Sequence, residues 1–170
     1  MLFVTAADGG KLLTIALDAA SGKERWRHQA PRSRSTKIRA KNTEASPSPV
    51  TDGEIVYVFF EDFGLLAYSV DGKERWRKAV EALNTPYGPG ASPILVDGKL
   101  ILVCDQDTDS YILAVSLQDG RTLWKKPRPE ATHGFATPIV YRPASGVPPN
   151  GWQLPRSSCE RRLAKTSDAE

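Results

Sequence analysis

Three aspartates at alternate positions, Asp105, Asp107 and Asp109, come closest to the spacing of a known chemical site. Their spacing matches the first three Ca²⁺ ligands of an EF-hand loop. The pattern then fails, because Ser110 replaces the required glycine and Ser116 stands where the bidentate glutamate should follow. Aspartates in a tight, exposed turn between strands need no metal. The three are therefore a weak metal candidate, and we expect no bound metal.

Other residues with catalytic potential lack the neighbours that catalysis needs. Cys104 ends an apolar run, as a small buried side chain would, and Cys159 lies in a polar tail without a framework of disulfide spacings. The sequence contains no serine-nucleophile motif and no phosphate-binding glycine loop. His133 has no partner in the sequence that would make it a general base. These observations argue against a hydrolase or a nucleotide enzyme, and no catalytic residue is predicted.

Basic residues concentrate between Lys23 and Lys41, where eight lysines and arginines stand against the single acid Glu24. A basic loop could hold phosphate or an acidic partner. Its second half, APRSRSTKIRAKN, contains no aromatic residue to stack on bases, and the net charge of the whole chain is only +3. We therefore expect no nucleic-acid partner, but a solvated connection balanced by nearby acids such as Glu54, Glu61 and Asp62.

The elements that must position these residues form an internal repeat. Two stretches, which begin at Ser48 and at Ser92, share one order of parts: Ser-Pro, apolar run, Asp-Gly, apolar run, polar turn, apolar run, glycine turn and tryptophan. The tryptophans, which are 50 and 48 residues apart, are Trp26, Trp76 and Trp124. The Ser/Thr-Pro pairs, which are 44 and 45 residues apart, begin at Ser48, Ser92 and Thr137. A period of this length built from strand-like units is typical of propeller blades or another repeat array.

Asp-Gly pairs between the apolar runs predict hairpins. They begin at Asp52, Asp71, Asp97 and Asp119, and Asp-Gly suits the positive φ angles of type I′ turns. Four short strands joined by hairpins make one propeller blade. No stretch of ten or more residues has helical spacing. The predicted fold is all-β, a partial β-propeller of four-stranded antiparallel blades.

The repeat also predicts how the chain is divided. The predicted parts are the C-terminal strands of a blade (1–30), a basic inter-blade loop (31–47), two complete blades (48–80 and 87–128), the first strand of an unfinished blade (133–142) and an irregular or disordered tail (143–170). Closed propellers usually need about 4 to 8 blades. We therefore expect a fragment of a larger ring, whose unpaired faces favour self-association or marginal stability.

The loops before the first strand of each repeat contain the remaining candidates. The innermost strand of a blade lines the central channel, so these loops should converge near the axis. They contribute Asn42, Glu44, Tyr87 and His133, which we predict as ligand contacts at one mouth of the channel. The alternative is that they only solvate or hydrogen-bond the loops.

Each repeat ends in a pattern that resembles the tryptophan-docking motif of PQQ-type β-propeller repeats. Residues 16–26 read Ala-x-Asp-x-x-x-Gly-x-x-x-Trp, residues 114–124 match with serine in place of aspartate, and residues 67–76 match with a turn one residue shorter. The resemblance covers residues 1 to about 142. It implies that each tryptophan packs against the glycine peptide of a neighbouring repeat, with Trp26, Trp76 and Trp124 docking and Gly22, Gly72 and Gly120 receiving.

The resemblance also bears on function. PQQ-dependent alcohol dehydrogenases have a vicinal Cys-Cys, a catalytic Asp and Ca²⁺ ligands from Glu and Asn, and this sequence has no Cys-Cys. It looks closer to BamB-type outer-membrane assembly lipoproteins and other PQQ-like repeat proteins. The implied function is a non-catalytic interaction scaffold that needs no cofactor, with a protein partner, missing blades or a second copy as its contacts.

The alternative is a fragment of a PQQ-dependent quinoprotein dehydrogenase. In that case the catalytic blades, which would bind PQQ with calcium, are missing from this chain. The N-terminus shows no signal peptide and no apolar run is long enough for a membrane span, while the resemblance implies a periplasmic or other extracytoplasmic parent.

Overall fold

A computed structural model describes residues 1–36, 38 and 42–142 of the chain. These residues form eleven β-strands and no helix. The strands are β1 (Leu2–Asp8), β2 (Lys11–Leu17), β3 (Glu24–Ala30), β4 (Val50–Thr51), β5 (Ile55–Phe60), β6 (Gly64–Ser69), β7 (Glu74–Ala79), β8 (Ile94–Val96), β9 (Lys99–Cys104), β10 (Tyr111–Ser116) and β11 (Thr122–Pro127).

The strands form three sheets, and each strand pairs antiparallel with the next in the chain. The first sheet is β1-β2-β3, the second β4-β5-β6-β7 and the third β8-β9-β10-β11. The repeated tryptophans lie on the last strand of each sheet, so β1–β3 correspond to the last three strands of the others. The first strands of the second and third sheets, β4 and β8, contact each other. The predicted all-β fold of antiparallel blades is confirmed.

The middle sheet is buried on both faces, which explains its continuous apolar run IVYVFF. Alternate side chains point to opposite faces of a strand, so Tyr57 and Phe59 pack with Leu102 of the third sheet. Val58 and Phe60 pack instead with the first sheet, in a cluster that includes Leu12. Stacking of successive sheets therefore supplies the core, as in other repeat proteins.

Among the Asp-Gly pairs at Asp52, Asp71, Asp97 and Asp119, only the pair at Asp97 forms the expected type I′ turn. Asp97 and Gly98 both have positive φ, at 46° and 72°, in the two-residue loop between β8 and β9. At the other three pairs only the glycine has positive φ. The physical reason is loop length, because those connections contain three to five residues and I′ geometry suits two-residue loops. Asp52 instead accepts hydrogen bonds from the N–H groups of residues 54 and 55 at 3.0 and 2.8 Å.

Residues 133–142 form no strand, contrary to the sequence-based prediction. A first strand of this fold pairs only with the second strand of its own sheet, as β4 does with β5 and β8 with β9. Residues that would provide such a second strand follow residue 142 and lie outside the described part of the chain. The predicted tail, 143–170, also lies outside it. All three sheets belong to one compact unit, Met1–Thr137. None of the described residues forms a helix that could cross a membrane.

Candidate functional site

Two tryptophans each lie against a glycine of the following sheet. A Cβ atom added to Gly72 would lie 3.0 Å from Cγ of Trp26, and one added to Gly120 would lie 2.6 Å from Cε3 of Trp76. Each indole also donates a hydrogen bond to the next sheet, from Trp26 Nε1 to the Val70 carbonyl at 3.0 Å and from Trp76 Nε1 to the Leu117 carbonyl at 2.8 Å. The contact therefore combines close packing with a satisfied indole N–H.

The alanine of each repeat lies directly opposite its tryptophan. The cross-strand pairs are Ala16 with Trp26, Ala67 with Trp76 and Ala114 with Trp124, and a register shift follows the alanine in all three sheets. All three alanines are completely buried. A small residue at this point leaves room for the large ring beside it.

The outermost members of the series have no such contact among the described residues. A Cβ atom added to Gly22 would meet no atom within 4 Å, and the Trp124 side chain remains 42% exposed, against 8% for Trp76. The chain therefore has a receiving glycine without a ring in the first sheet and an undocked ring in the third.

The Ser/Thr-Pro positions are linked from sheet to sheet by hydrogen bonds. The backbone N–H of Ser48 donates to Oγ of Ser92 at 2.9 Å, and the N–H of Ser92 donates to Oγ1 of Thr137 at 3.0 Å. Equivalent atoms of successive repeats thus bond in a row. This row fixes the loops that lead into the first strands.

Three of the four predicted channel-mouth residues come together. Asn42 Nδ2 donates to the carbonyl oxygen of Tyr87 at 2.6 Å. The rings of Tyr87, His133 and Phe135, which we call the aromatic cluster, have centroid distances of 5.8 to 6.1 Å. Tyr87 and Phe135 are 41% and 44% exposed. The cluster therefore presents two large rings to solvent on loops that are bonded to each other.

The fourth residue, Glu44, lies elsewhere, contrary to the expectation that all four would share one site. Its carboxylate pairs with Arg32 at 2.7 Å, and Arg32 also pairs with the buried Asp62 at 2.5 Å. Part of the basic segment is thus balanced by acids, including one of those predicted. Lys37, Arg39 and Lys41 lie outside the described residues.

The three alternating aspartates are held apart by separate contacts. Nη1 of Arg128 donates to both carboxylate oxygens of Asp105, at 2.5 and 2.7 Å. Burial raises the pKa of Asp105, and Arg128 opposes that effect. Asp107 contacts Nδ1 of His133, and Asp109 has a φ of 57° in the turn. The described residues contain no group of three His, Cys, Asp or Glu side chains that could hold a metal.

Phe135 and Arg128 were missed at the sequence level. Phe135 packs against Gly90, where an added Cβ would lie 2.5 Å from its ring. An aromatic residue in an otherwise polar loop before a Ser/Thr-Pro pair was the available signal. Arg128 gave no signal, because its partner Asp105 is 23 residues away.

Antiparallel sheets that stack through tryptophan–glycine contacts, with their first strands on one side, define a partial β-propeller of a repeat protein. The family model described as "Outer membrane protein assembly factor BamB" matches residues 1–146. The chain belongs to this family of PQQ-like propeller repeat proteins.

Relatives with known descriptions include enzymes and an assembly factor. The chain is 31% identical over 116 residues to quinohemoprotein alcohol dehydrogenase ADH IIB of Pseudomonas putida, a match that covers 65% of this chain and 17% of that protein. A europium-containing methanol dehydrogenase shares the fold with a TM-score of 0.59 and 15% identity, over 74% of this chain and 22% of that chain. BamB from Moraxella catarrhalis matches with a TM-score of 0.51 and 18% identity, over 82% and 41%. The chain thus spans less than half the length of each.

The described residues do not fit a calcium–PQQ site. Cys104, the only cysteine among them, is fully buried at the end of β9, and burial raises the pKa of its thiol to about 12. Asp105 beside it is occupied by Arg128. Because the thiol is buried and the carboxylate is ion-paired, we derive no cofactor chemistry from these two groups.

Proposed function

We propose that the chain is a non-catalytic repeat scaffold that contacts a protein or ligand through the aromatic cluster and Asn42. The exposed rings of Tyr87 and Phe135 are the observation that carries this proposal. Aromatic side chains with little flexibility are frequent anchors of binding surfaces. The row of hydrogen bonds between Ser48, Ser92 and Thr137 supports it, because that row orders the loops in advance of binding.

The docking contacts complete the proposal. Trp26 and Trp76 act as tethers between successive sheets, and Trp124 and Gly22 take the same roles toward further blades or a second copy of the chain. The partial coverage of the three proteins named above supports further blades as partners. The match to an outer membrane assembly factor supports an extracytoplasmic location for a longer parent.

A photocrosslinking amino acid at position 135 tests the ligand-contact role. We expect a defined adduct in extracts of the source organism, which Tyr87→Ala should abolish. The same crosslinker at Thr51, an exposed residue of β4, serves as the matched control. Equal adducts from both positions would contradict a specific surface.

As a second candidate function, the chain would form part of a quinoprotein dehydrogenase. The 31% sequence identity with the P. putida enzyme favours this alternative. Titration of PQQ with Ca²⁺, followed by tryptophan fluorescence, separates the two. If the chain is a non-catalytic scaffold, we expect no saturable change in tryptophan fluorescence. Saturable tight binding would instead support the enzyme, with a binding surface outside the donor groups described above.

A further inference from the structure

Glu61 and Asp105 occupy equivalent positions in successive repeats, but only one has a partner. Each follows the second strand of its sheet directly, Glu61 after β5 and Asp105 after β9. Both carboxylate oxygens of Asp105 accept hydrogen bonds from Nη1 of Arg128, which follows β11. The residue that follows β7 in the same way is Val80, a buried apolar side chain. The second repeat therefore retains the acid but lacks the arginine that balances it.

The Glu61 side chain is completely buried, and neither carboxylate oxygen accepts a hydrogen bond from a described residue. Asp62 of the same turn, Arg34 and Glu44 are the charged groups that act on it. Arg32 adjoins them through its pairs with Glu44 and Asp62, and the charge of Arg34 also acts weakly on Tyr111 of the third sheet. Two guanidinium groups thus meet three carboxyl groups. The charges balance when one carboxyl is protonated, and Glu61 is the one without a donor.

The electrostatics agree with this geometry. Burial raises the pKa of Glu61 to about 7, Asp62 and Glu44 add to the rise, and Arg34 opposes it. A carboxyl group with this pKa changes charge between mildly acidic and neutral conditions. Ionisation inside the fold would leave a buried carboxylate without donors, which is costly.

Residues 31–36 are hydrogen-bonded to the turn that contains Glu61. We call this segment the strap. Ser33 N–H and Thr36 N–H donate to the carbonyl and to Oδ1 of Asp62 at 3.1 and 2.9 Å. Arg34 Nη2 donates to the carbonyl oxygen of Glu61, and to that of Val80 at 2.8 Å. The strap is the first part of the connection between the first and second sheets, and its hold on the second sheet depends on the Glu61–Asp62 turn.

We propose that the strap is a pH-sensitive clamp between the first two sheets, closed when Glu61 is protonated and released when Glu61 loses its proton to solvent. Release admits water to the carboxylate, and the strap yields before the turn because the turn joins two paired strands. Since the closed form binds the proton more tightly, closure is strongest in acid and weakens as the pH rises toward about 7. This device is separate from the ligand-contact role proposed above.

Hydrogen exchange measured by mass spectrometry on peptides that cover the strap tests the clamp at about pH 5 and about pH 7.5. After correction for intrinsic exchange rates, the protection of the wild-type strap should fall tenfold or more between the two values. Glu61→Gln should keep the strap protected at both. Glu54→Gln is the matched control, because Glu54 is an exposed glutamate at the other end of β5, and it should behave as the wild type does.

Protection of the wild-type strap that does not change with pH would overturn the proposal, as would an equal loss of protection in Glu61→Gln. If Glu61→Gln fails to fold, the carboxyl carbon of Glu61 can be titrated by NMR in the wild-type chain. A midpoint near that of an exposed glutamate would then overturn the clamp, and a midpoint near neutrality that coincides with strap opening would support it.

Discussion

Gly120 and Gly22 occupy equivalent turns but differ in what lies above them. Their φ angles are 70° and 69°, so an alanine at either position takes the same left-handed backbone. Above Gly120 lies the Trp76 ring, whereas the space above Gly22 is open. The two glycines therefore separate the backbone requirement of the turn from the packing requirement of the docking contact.

Alanine substitutions at the two glycines should separate the cost of the left-handed backbone from the cost of the lost docking contact. Gly22→Ala should lower the free energy of unfolding by roughly 1–2 kcal/mol, the cost of a left-handed alanine. Gly120→Ala should lower the free energy of unfolding by about 1–3 kcal/mol more than Gly22→Ala does, because the added Cβ would overlap the Trp76 ring. Urea denaturation of dilute protein measures both. Equal losses would mean that the ring moves aside and that docking contributes little.

How much each tryptophan contributes to stability depends on whether a following sheet packs against its ring. Trp76 lies between the second and third sheets, with its indole N–H bonded to the Leu117 carbonyl. Trp124 has the same place in its own strand but no following sheet among the described residues. The same residue in the same local structure should thus differ in its contribution, depending on the neighbouring element.

Trp76→Ala should therefore cost about 3–5 kcal/mol of unfolding free energy, as for a buried aromatic side chain. Trp124→Ala should cost about 1 kcal/mol, since its ring is 42% exposed. Thermal or urea unfolding at low protein concentration gives both values. A rise in the cost of Trp124→Ala with protein concentration would show that a second copy covers this ring, while similar costs at every dilution would contradict the contrast.

For the whole molecule, the unpaired Glu61 should make stability depend on pH. Its pKa is raised in the folded chain from an ordinary value of 4.5 to about 7. Stability is consequently greatest when the carboxyl group is protonated. It falls as the pH rises from about 4.5 to about 7 and then levels off. Carboxylates whose pKa values are lowered, such as Asp52 and Asp71, act in the opposite sense at lower pH.

Glu61→Gln removes the titration without removing the side chain. At pH 8 this variant should be more stable than the wild type by on the order of 2 kcal/mol, and the difference should vanish toward pH 4.5. Chemical denaturation across this pH range measures the difference. Comparison with Glu54→Gln excludes a general effect of the lost charge, and a difference that stays constant with pH would contradict the assignment.

The short apolar runs, the Asp-Gly pairs and the spaced tryptophans determined the all-β repeat architecture from the sequence alone. These signals are local, because strand pairing within a blade joins neighbours in the chain and each hairpin turn is encoded by a few residues. The turn types were less predictable. They depend on how many residues each loop contains once the strands are paired, and among the Asp-Gly pairs only Asp97-Gly98 forms both residues of a two-residue loop.

The tertiary structure alone decided which polar and aromatic side chains meet. Asn42 reaches Tyr87, whereas Glu44, two residues further on, turns to Arg32. Asp105 has an arginine partner and its counterpart Glu61 has none among the described residues, although both are acids at the same point of the repeat. Such contacts join residues from different sheets or from distant strands. Their geometry is fixed by how the sheets stack, and no local pattern in the sequence records it.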